Sequence, residues 1–211
     1  NPVGVTDIMW ATLENDAVSG SDGGYNGGYF DVDKTKAYRH TVWTKRENFI
    51  AASGRTYFGL KNIDSGGVTV GITDIRGEGT YTDANPYHFV YYTTTFPDID
   101  DNWVLFVQYI LPYGTTTIPD YVANTKGIYA QDGTKITDTG AVFCWTSDTV
   151  QAMSRSYLFY STDIDERHYW YRPRFEAMDG NVPSLETLLS CGENPIMLDK
   201  TRTDIVNKKA F

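Results

Sequence analysis

Acidic side chains that could bind a metal cluster most closely in one short segment. Asp98, Asp100 and Asp101 follow Pro97 and precede an apolar run that begins at Trp103. Carboxylate oxygens closely spaced in a loop are the ligands that Ca²⁺ prefers, so these three residues form a candidate calcium site. The full spacing of an EF-hand loop is absent. The alternative, which we favour, is a solvated turn that caps a strand, and no other cofactor is expected.

Tyrosine is unusually frequent and often lies beside glycine. The chain has 16 Tyr, 10 Phe and 5 Trp, so 15% of its residues are aromatic. Tyrosines among Gly, Ser, Asn and Thr in loops are typical of recognition surfaces, because the rigid ring supplies contact area and the hydroxyl a hydrogen bond. Sugars suit such surfaces, since their C–H faces stack on rings. The candidate ligand-binding tyrosines are Tyr25, Tyr29, Tyr81 and Tyr113. The alternative is that these rings close sheet edges or fill a core.

A second aromatic concentration lies at residues 168–176. Strand alternation predicts that Trp170, Arg172 and Arg174 share one face. They are candidate ligand-binding residues, because an indole and two guanidiniums suit an anionic or neutral glycan. The same residue types are enriched at subunit interfaces, and the sequence leaves both interpretations open. Pro173 within this run indicates an edge strand or a strand end.

Motifs of familiar enzyme classes are absent from the sequence. The three histidines form no HExxH motif, and neither GxSxG nor P-loop spacing occurs, so metalloproteases, α/β-hydrolases and NTPases have no support. Glycoside hydrolysis needs only two carboxylates across a cleft, and 27 acidic residues can supply them. We expect a protein that is not an enzyme, with a glycosidase as the alternative.

The elements that must position these side chains are strands. Apolar and polar residues alternate with a period of two, and Gly-, Asp- and Asn-rich breaks such as residues 21–24 separate the runs. The run at 103–110 is nearly all apolar, which indicates a central strand covered on both faces. The pattern predicts an all-β, jelly-roll-like antiparallel β-sandwich over residues 1–190. The predicted strands are residues 37–44, 55–60, 87–93, 103–110, 125–130, 141–146, 155–161 and 168–175.

The end of the sequence has a different character. Ser184 precedes a short apolar stripe and is a candidate N-cap for one or two helical turns. Residues 191–211 are locally basic and too polar to form a core alone. We expect this C-terminal extension either to stay loose or to pack on a neighbouring subunit.

Composition excludes several classes of protein. The chain has 211 residues with 18 basic and 27 acidic side chains, and a net charge of −9 argues against nucleic-acid binding. No apolar run approaches the ~18 residues of a membrane span, so we expect no membrane insertion. Cys144 and Cys191 make no disulfide framework, and we expect a buried thiol and a free one. Because the sequence starts at Asn1 without a basic and apolar leader, we expect a piece of a longer polypeptide.

Six segments carry a resemblance to a known family. They are DVDKTKAYRHTVW at 31–43, RTYFGL at 55–60, WVLFVQYI at 103–110, GIYA at 127–130, RSYLFY at 155–160 and YWYRPRFEAMDG at 169–180. In this order they resemble carbohydrate-binding-module-like β-sandwich domains at the ends of bacteriophage tail fibres, and the related tips of phage-derived trimeric fibre adhesins carried by bacteria. The match spans roughly residues 20–190.

The resemblance implies a non-enzymatic receptor-binding tip that recognises a cell-surface glycan. It also implies a homotrimer and an extracellular location, on a virion tail fibre or a bacterial surface fibre. The family supplies no catalytic residue. Two alternatives stay open, a polysaccharide depolymerase or glycosidase and a structural trimerisation cap with aromatic residues buried between subunits. The identity of the saccharide, and whether its site lies within or between subunits, also stay open.

Overall fold

The computed structural model describes residues 9–12, 17–18, 20–48, 55–75, 79–81, 87–92, 102–138 and 142–190. The two helices in these ranges are α1 (Asp120–Thr125) and α2 (Leu185–Leu189). The strands are β1 (Trp10–Ala11), β2 (Ser21–Asn26), β3 (Phe30–Asp31), β4 (Tyr38–Glu47), β5 (Arg55–Ile63), β6 (Thr69–Val70), β7 (Ile72–Asp74), β8 (Gly79–Tyr81), β9 (Tyr87–Tyr92), β10 (Val104–Leu111), β11 (Gly127–Ala130), β12 (Lys135–Thr137), β13 (Phe143–Cys144), β14 (Gln151–Phe159) and β15 (Arg167–Ala177).

These strands form two sheets. The nine-stranded sheet has the order β1-β15-β4-β10-β13-β7-β8, with β11 beside β10 and β12 beside β11. The six-stranded sheet has the order β2-β14-β5-β6, with β3 beside β14 and β9 beside β5. The predicted all-β, sandwich-like fold is confirmed. One detail differs from a purely antiparallel arrangement, because β13 runs parallel to β10.

The main core lies between the two sheets. On β10, Val104, Phe106 and Ile110 face inward and are buried. Phe58 and Leu60 of β5 meet them from the six-stranded sheet, and both are fully buried. Strand alternation thus turns apolar side chains of the two sheets towards each other, and their burial holds the sheets together.

A second core covers the outer face of the nine-stranded sheet. Leu105, Val107 and Tyr109 project from β10 to this side, where Val122 of α1 and Leu188 of α2 belong to the same buried cluster. Every residue of β10 is buried. The prediction of a central strand covered on both faces is therefore confirmed.

Helix α2 begins where the sequence predicts. The hydroxyl of Ser184 accepts a hydrogen bond from the Thr187 amide at 3.0 Å, which satisfies one of the free N–H groups of the first turn. Cys144 on β13 is a buried free thiol, as expected, and burial raises its pKa. Cys191 and the whole extension 191–211 lie outside the described residues.

Buried ionic groups lie inside the fold as well as apolar ones. Arg46 of β4 and Glu166 form an ion pair with side chains that are 2% and 1% exposed. The Ser161 hydroxyl donates to the second carboxylate oxygen of Glu166, and the Ser161 amide donates to buried Asp22 at 3.0 Å. These bonds offset part of the cost of burying the charges.

His168 on β15 makes the stability of the fold dependent on pH. Its Nε2 contacts the Thr44 hydroxyl, and its Nδ1 lies 3.2 Å from Oγ1 of Thr56. Burial, and secondarily the positive charge of Arg46, lowers the pKa of His168 well below its usual value of 6.5. The unfolded chain therefore binds a proton at a higher pH than the folded one. Above about pH 6.5, His168 does not change the pH dependence of stability. Below that pH, protonation of His168 in the unfolded chain lowers the free energy of unfolding.

We expect urea unfolding to show a loss of up to ~1.4 kcal/mol per pH unit from this group as the pH falls from about 6.5 towards 5. The variant His168→Gln keeps a hydrogen-bonding side chain and has no proton to bind. It should lack this part of the pH dependence. Equal slopes for the two proteins over this range would contradict the assignment to His168.

Candidate functional site

The sequence predicted Tyr25 to be a loop residue, and this prediction is wrong. It lies in β2, is 6% exposed, and its hydroxyl is 3.0 Å from Oγ of Ser154. Its ring contacts Trp10 and Trp170, with centroids 6.0 Å apart in each case. Burial raises the pKa of Tyr25. The ring fills the core, so its proposed contact with a surface ligand was wrong.

The other candidate tyrosines have different outcomes. Tyr29, between β2 and β3, is 42% exposed, and Tyr113, after β10, is 57% exposed. Their predicted exposure is confirmed, and a role in ligand binding stays a prediction. Tyr81 ends β8, and its side chain lies outside the described part of the chain.

Trp170 is fully buried and cannot contact a ligand at the surface. Its indole Nε1 donates to Oγ of Ser156 at 2.7 Å, and its ring lies 4.1 Å from that of His168. The expectation that it belongs to a binding face was wrong, because β1 and the six-stranded sheet enclose it. The sequence could not show this enclosure.

Trp170, Arg172 and Arg174 do not share one face, because β15 contains a β-bulge. Tyr171 pairs with Trp43 and Arg174 with Thr41, so three residues of β15 span the distance of two on β4. One extra residue reverses the alternation beyond it. Trp170, which precedes the bulge, points into the main core. Arg172 and Arg174 line a pocket at the outer face of the nine-stranded sheet.

Pro173 lies at this bulge. The strand β15 is not at the edge of the sheet, since β1 pairs beside it at Tyr169 and Trp170. On that side, no described residue pairs with Pro173. The predicted edge position is wrong for β15.

The candidate calcium residues Asp98, Asp100 and Asp101 lie outside the described residues. Within the ranges that the structure does describe, no three His, Cys, Asp or Glu side chains are grouped so that they could hold a metal ion. The calcium site stays a prediction.

The outer face of the six-stranded sheet carries aromatic rings and guanidiniums that the sequence analysis did not single out. We call this surface the aromatic face. Its members alternate along β14 and β5 and continue at Tyr160. They are Arg55, Tyr57, Arg155, Tyr157, Phe159 and Tyr160. Tyr160 is 41% exposed and the others are half-buried.

Cross-strand pairing holds the aromatic face together. Tyr157 lies directly opposite Tyr57, and Phe159 opposite Arg55. The Phe159 ring centroid lies 5.3 Å from that of Tyr57 and 5.5 Å from that of Tyr157, and the former pair is edge-to-face. The guanidinium of Arg155 lies 4.7 Å from the Tyr157 ring centroid, within range of a cation–π contact.

Glycine lets the ring of Tyr157 lie close to the neighbouring strand. A Cβ atom at Gly24 of β2 would be 2.8 Å from Cδ1 of Tyr157 and 2.1 Å from the Ser156 carbonyl oxygen.

Partial burial raises the pKa of Tyr57, so its hydroxyl stays protonated at neutral pH and can donate a hydrogen bond. The face therefore combines apolar rings with hydrogen-bond donors.

The middle of β14 is inverted relative to an ordinary sandwich strand, although Ala152 and Leu158 of the same strand are fully buried. Its small polar residues Ser154 and Ser156 face inward, where Oγ of Ser154 lies 2.6 Å from Nε2 of His40. Tyr157 and Phe159 face outward. The alternation of residues 155–159 was visible in the sequence, but the direction of each face depends on these inward hydrogen bonds.

No protein-family model, curated protein or solved structure matches the chain. In the described ranges, neither helix is long and apolar enough to cross a membrane.

Proposed function

We propose that this protein is a non-enzymatic receptor-binding tip of an extracellular fibre and that it recognises a cell-surface glycan through the aromatic face. The observation that carries the proposal is the inverted middle of strand β14, which turns Tyr157 and Phe159 outward and two serines inward. At these positions, burial of apolar area alone would favour rings on the inner face and serines on the outer one. The family resemblance of residues 20–190 supports the fibre context.

The chemistry of the aromatic face suits a saccharide. The C–H faces of a pyranose stack on Tyr57, Tyr157 and Phe159, and burial of these rings supplies most of the binding free energy. The guanidiniums of Arg55 and Arg155 donate hydrogen bonds to sugar hydroxyls or carboxylates. Tyr29 and Tyr113 stay additional candidates for ligand contact.

The variant Tyr157→Ala tests the proposal. We expect it to weaken saccharide binding by about tenfold or more, because it removes the central ring of the face. The ligand is first selected on a glycan array, and its affinity is then measured by titration. Tyr121→Ala is the matched control, since Tyr121 is 45% exposed on α1, away from the aromatic face. It should bind like the wild type.

Three results would contradict the proposal. Failure of the wild type to bind any saccharide on the array would show that its ligand is not a saccharide. Equal affinity of the Tyr157→Ala variant would move the site elsewhere. Release of reducing ends from a host polysaccharide would show a depolymerase and not a passive receptor-binding tip.

We further propose that the protein assembles as a homotrimer, which the resemblance supports. The extension 191–211 is the segment we expect to pack on the neighbouring subunit. Light scattering of the full chain and of a variant without residues 192–211 tests both points. A monomeric full chain at micromolar concentration would contradict the trimer, and an unchanged trimer after the deletion would exclude the extension from the contact.

A further inference from the structure

The bulge in β15 turns two arginines towards one pocket. Beyond it, Phe175 points into the main core and Arg174 points outward, which is the reverse of what unbroken alternation from Trp170 would give. Arg172 adopts a left-handed backbone conformation with φ of 48°, which is strained for a residue with a side chain. Strain of this kind persists only where the surrounding structure enforces it.

The pocket has a volume of about 10 Å³, which is room for about one water-sized atom, and it has both apolar and polar walls. Trp43, Leu105 and Leu188 form its apolar side. Its polar side is formed by Thr41, Arg172 and Arg174.

Thr41 presents an unsatisfied hydroxyl to this pocket. The residue is 1% exposed, and no described group forms a hydrogen bond with its Oγ1. A buried hydroxyl without a partner is costly, because it has lost its water and gained no replacement. A ligand atom that hydrogen-bonds to Thr41 would recover that loss.

The net charge of the buried ionic groups around Arg174 favours an anionic ligand. Arg174 donates from Nε and an Nη atom to Oε1 of Glu176 at 3.0 and 2.8 Å, and Arg39 donates to Oε2 at 3.0 Å. All three side chains are at most 5% exposed. Two guanidiniums therefore share one carboxylate, which leaves one net positive charge within the buried trio. Such a charge favours a negative partner.

We propose that this pocket is a binding site for a small oxyanion, a carboxylate or a phosphate group, held by Thr41, Arg172 and Arg174. The Thr41 hydroxyl donates one hydrogen bond and the guanidiniums supply the charge. The pocket admits one oxygen atom of the anionic group, and the rest of the ligand lies outside its mouth. The site goes beyond the proposed glycan face, since it lies on the outer side of the other sheet.

Titration of the wild type with inorganic phosphate and, separately, with glucuronate tests the site. Chloride holds the ionic strength constant, and calorimetry and tryptophan emission report binding, since Trp43 lies in the pocket wall. The variant Thr41→Val keeps the shape of the side chain and removes the hydroxyl. We expect it to fold and to bind the anion about tenfold more weakly. The variant Arg167→Gln removes a positive charge from the same strand at a distance from the pocket and should bind like the wild type.

Each outcome decides the proposal. Binding of phosphate alone supports a free phosphate as the ligand, and binding of glucuronate alone supports the carboxylate of an acidic saccharide. No response to either anion up to about 50 mM overturns the site, as does equal affinity of the Thr41→Val variant. The variant Tyr157→Ala should still bind the anion, so failure of the glycan face and failure of the oxyanion site are distinguishable.

Discussion

Replacement of Trp170 by alanine is expected to lower the free energy of unfolding by about 3–5 kcal/mol. The indole is fully buried between Tyr25, His168 and the hydroxyl of Ser156, so its removal leaves a cavity and an unpaired serine. Equilibrium unfolding in guanidinium chloride, followed by circular dichroism, measures the change. This is the largest single-residue effect that we expect in the main core.

The variant Trp170→Phe is the matched control, because it keeps an aromatic ring while it removes the indole N–H and only part of the indole volume. We expect it to cost less than half as much as the alanine variant. A Trp170→Ala protein with wild-type stability and impaired saccharide binding would restore Trp170 as a ligand residue and contradict its place in the core.

The variant Glu166→Gln is expected to destabilise the protein by about 3–5 kcal/mol. It leaves the Arg46 guanidinium buried without its carboxylate partner, and that loss is larger than the net contribution of the ion pair itself. Chemical unfolding at neutral pH measures the effect. The double variant Arg46→Met/Glu166→Leu removes both charges and should recover most of the stability.

A partly exposed ion pair on β4, the strand of Arg46, supplies the comparison. Lys45 and Glu47 lie 2.5 Å apart, and their side chains are 21% and 34% exposed. Water already solvates these charges, so Glu47→Gln should cost only about 1 kcal/mol or less. Equal costs at Glu47 and Glu166, or a double variant as unstable as Glu166→Gln, would show that burial does not determine the effect.

The long strands could be predicted because their alternation extends over many residues. β4, β5, β10, β14 and β15 each cover most of a run that the period-two pattern indicates. β2 was missed because Gly23 and Gly24 resemble turn residues. In the fold, Gly24 is a strand residue whose missing Cβ allows close approach of β14. Helix α1 was missed because six residues are too few for a helical period to emerge.

The candidate site was predicted only in part. Exposure of Tyr29 and Tyr113 followed from their glycine-rich surroundings. The burial of Trp170 and the turn of Arg174 to the opposite face depend on which strands pack over β15 and on a one-residue bulge. Neither leaves a local signal. The aromatic face was missed because hydrogen bonds with His40 and Trp170 make the two inward-facing serines, Ser154 and Ser156, stable.

The order of the strands along the chain has a consequence for how the protein is made. β4 pairs with β15, and β5 pairs with β14, so strands that are synthesised early pair with strands that are synthesised late. While the chain emerges from the ribosome, one edge of β4 and one edge of β5 have no partner until residues beyond 150 have been synthesised. Non-local pairing of this kind folds slowly and leaves strand edges open to association with other chains. A chaperone that shields these two edges during translation would therefore raise the yield of folded protein.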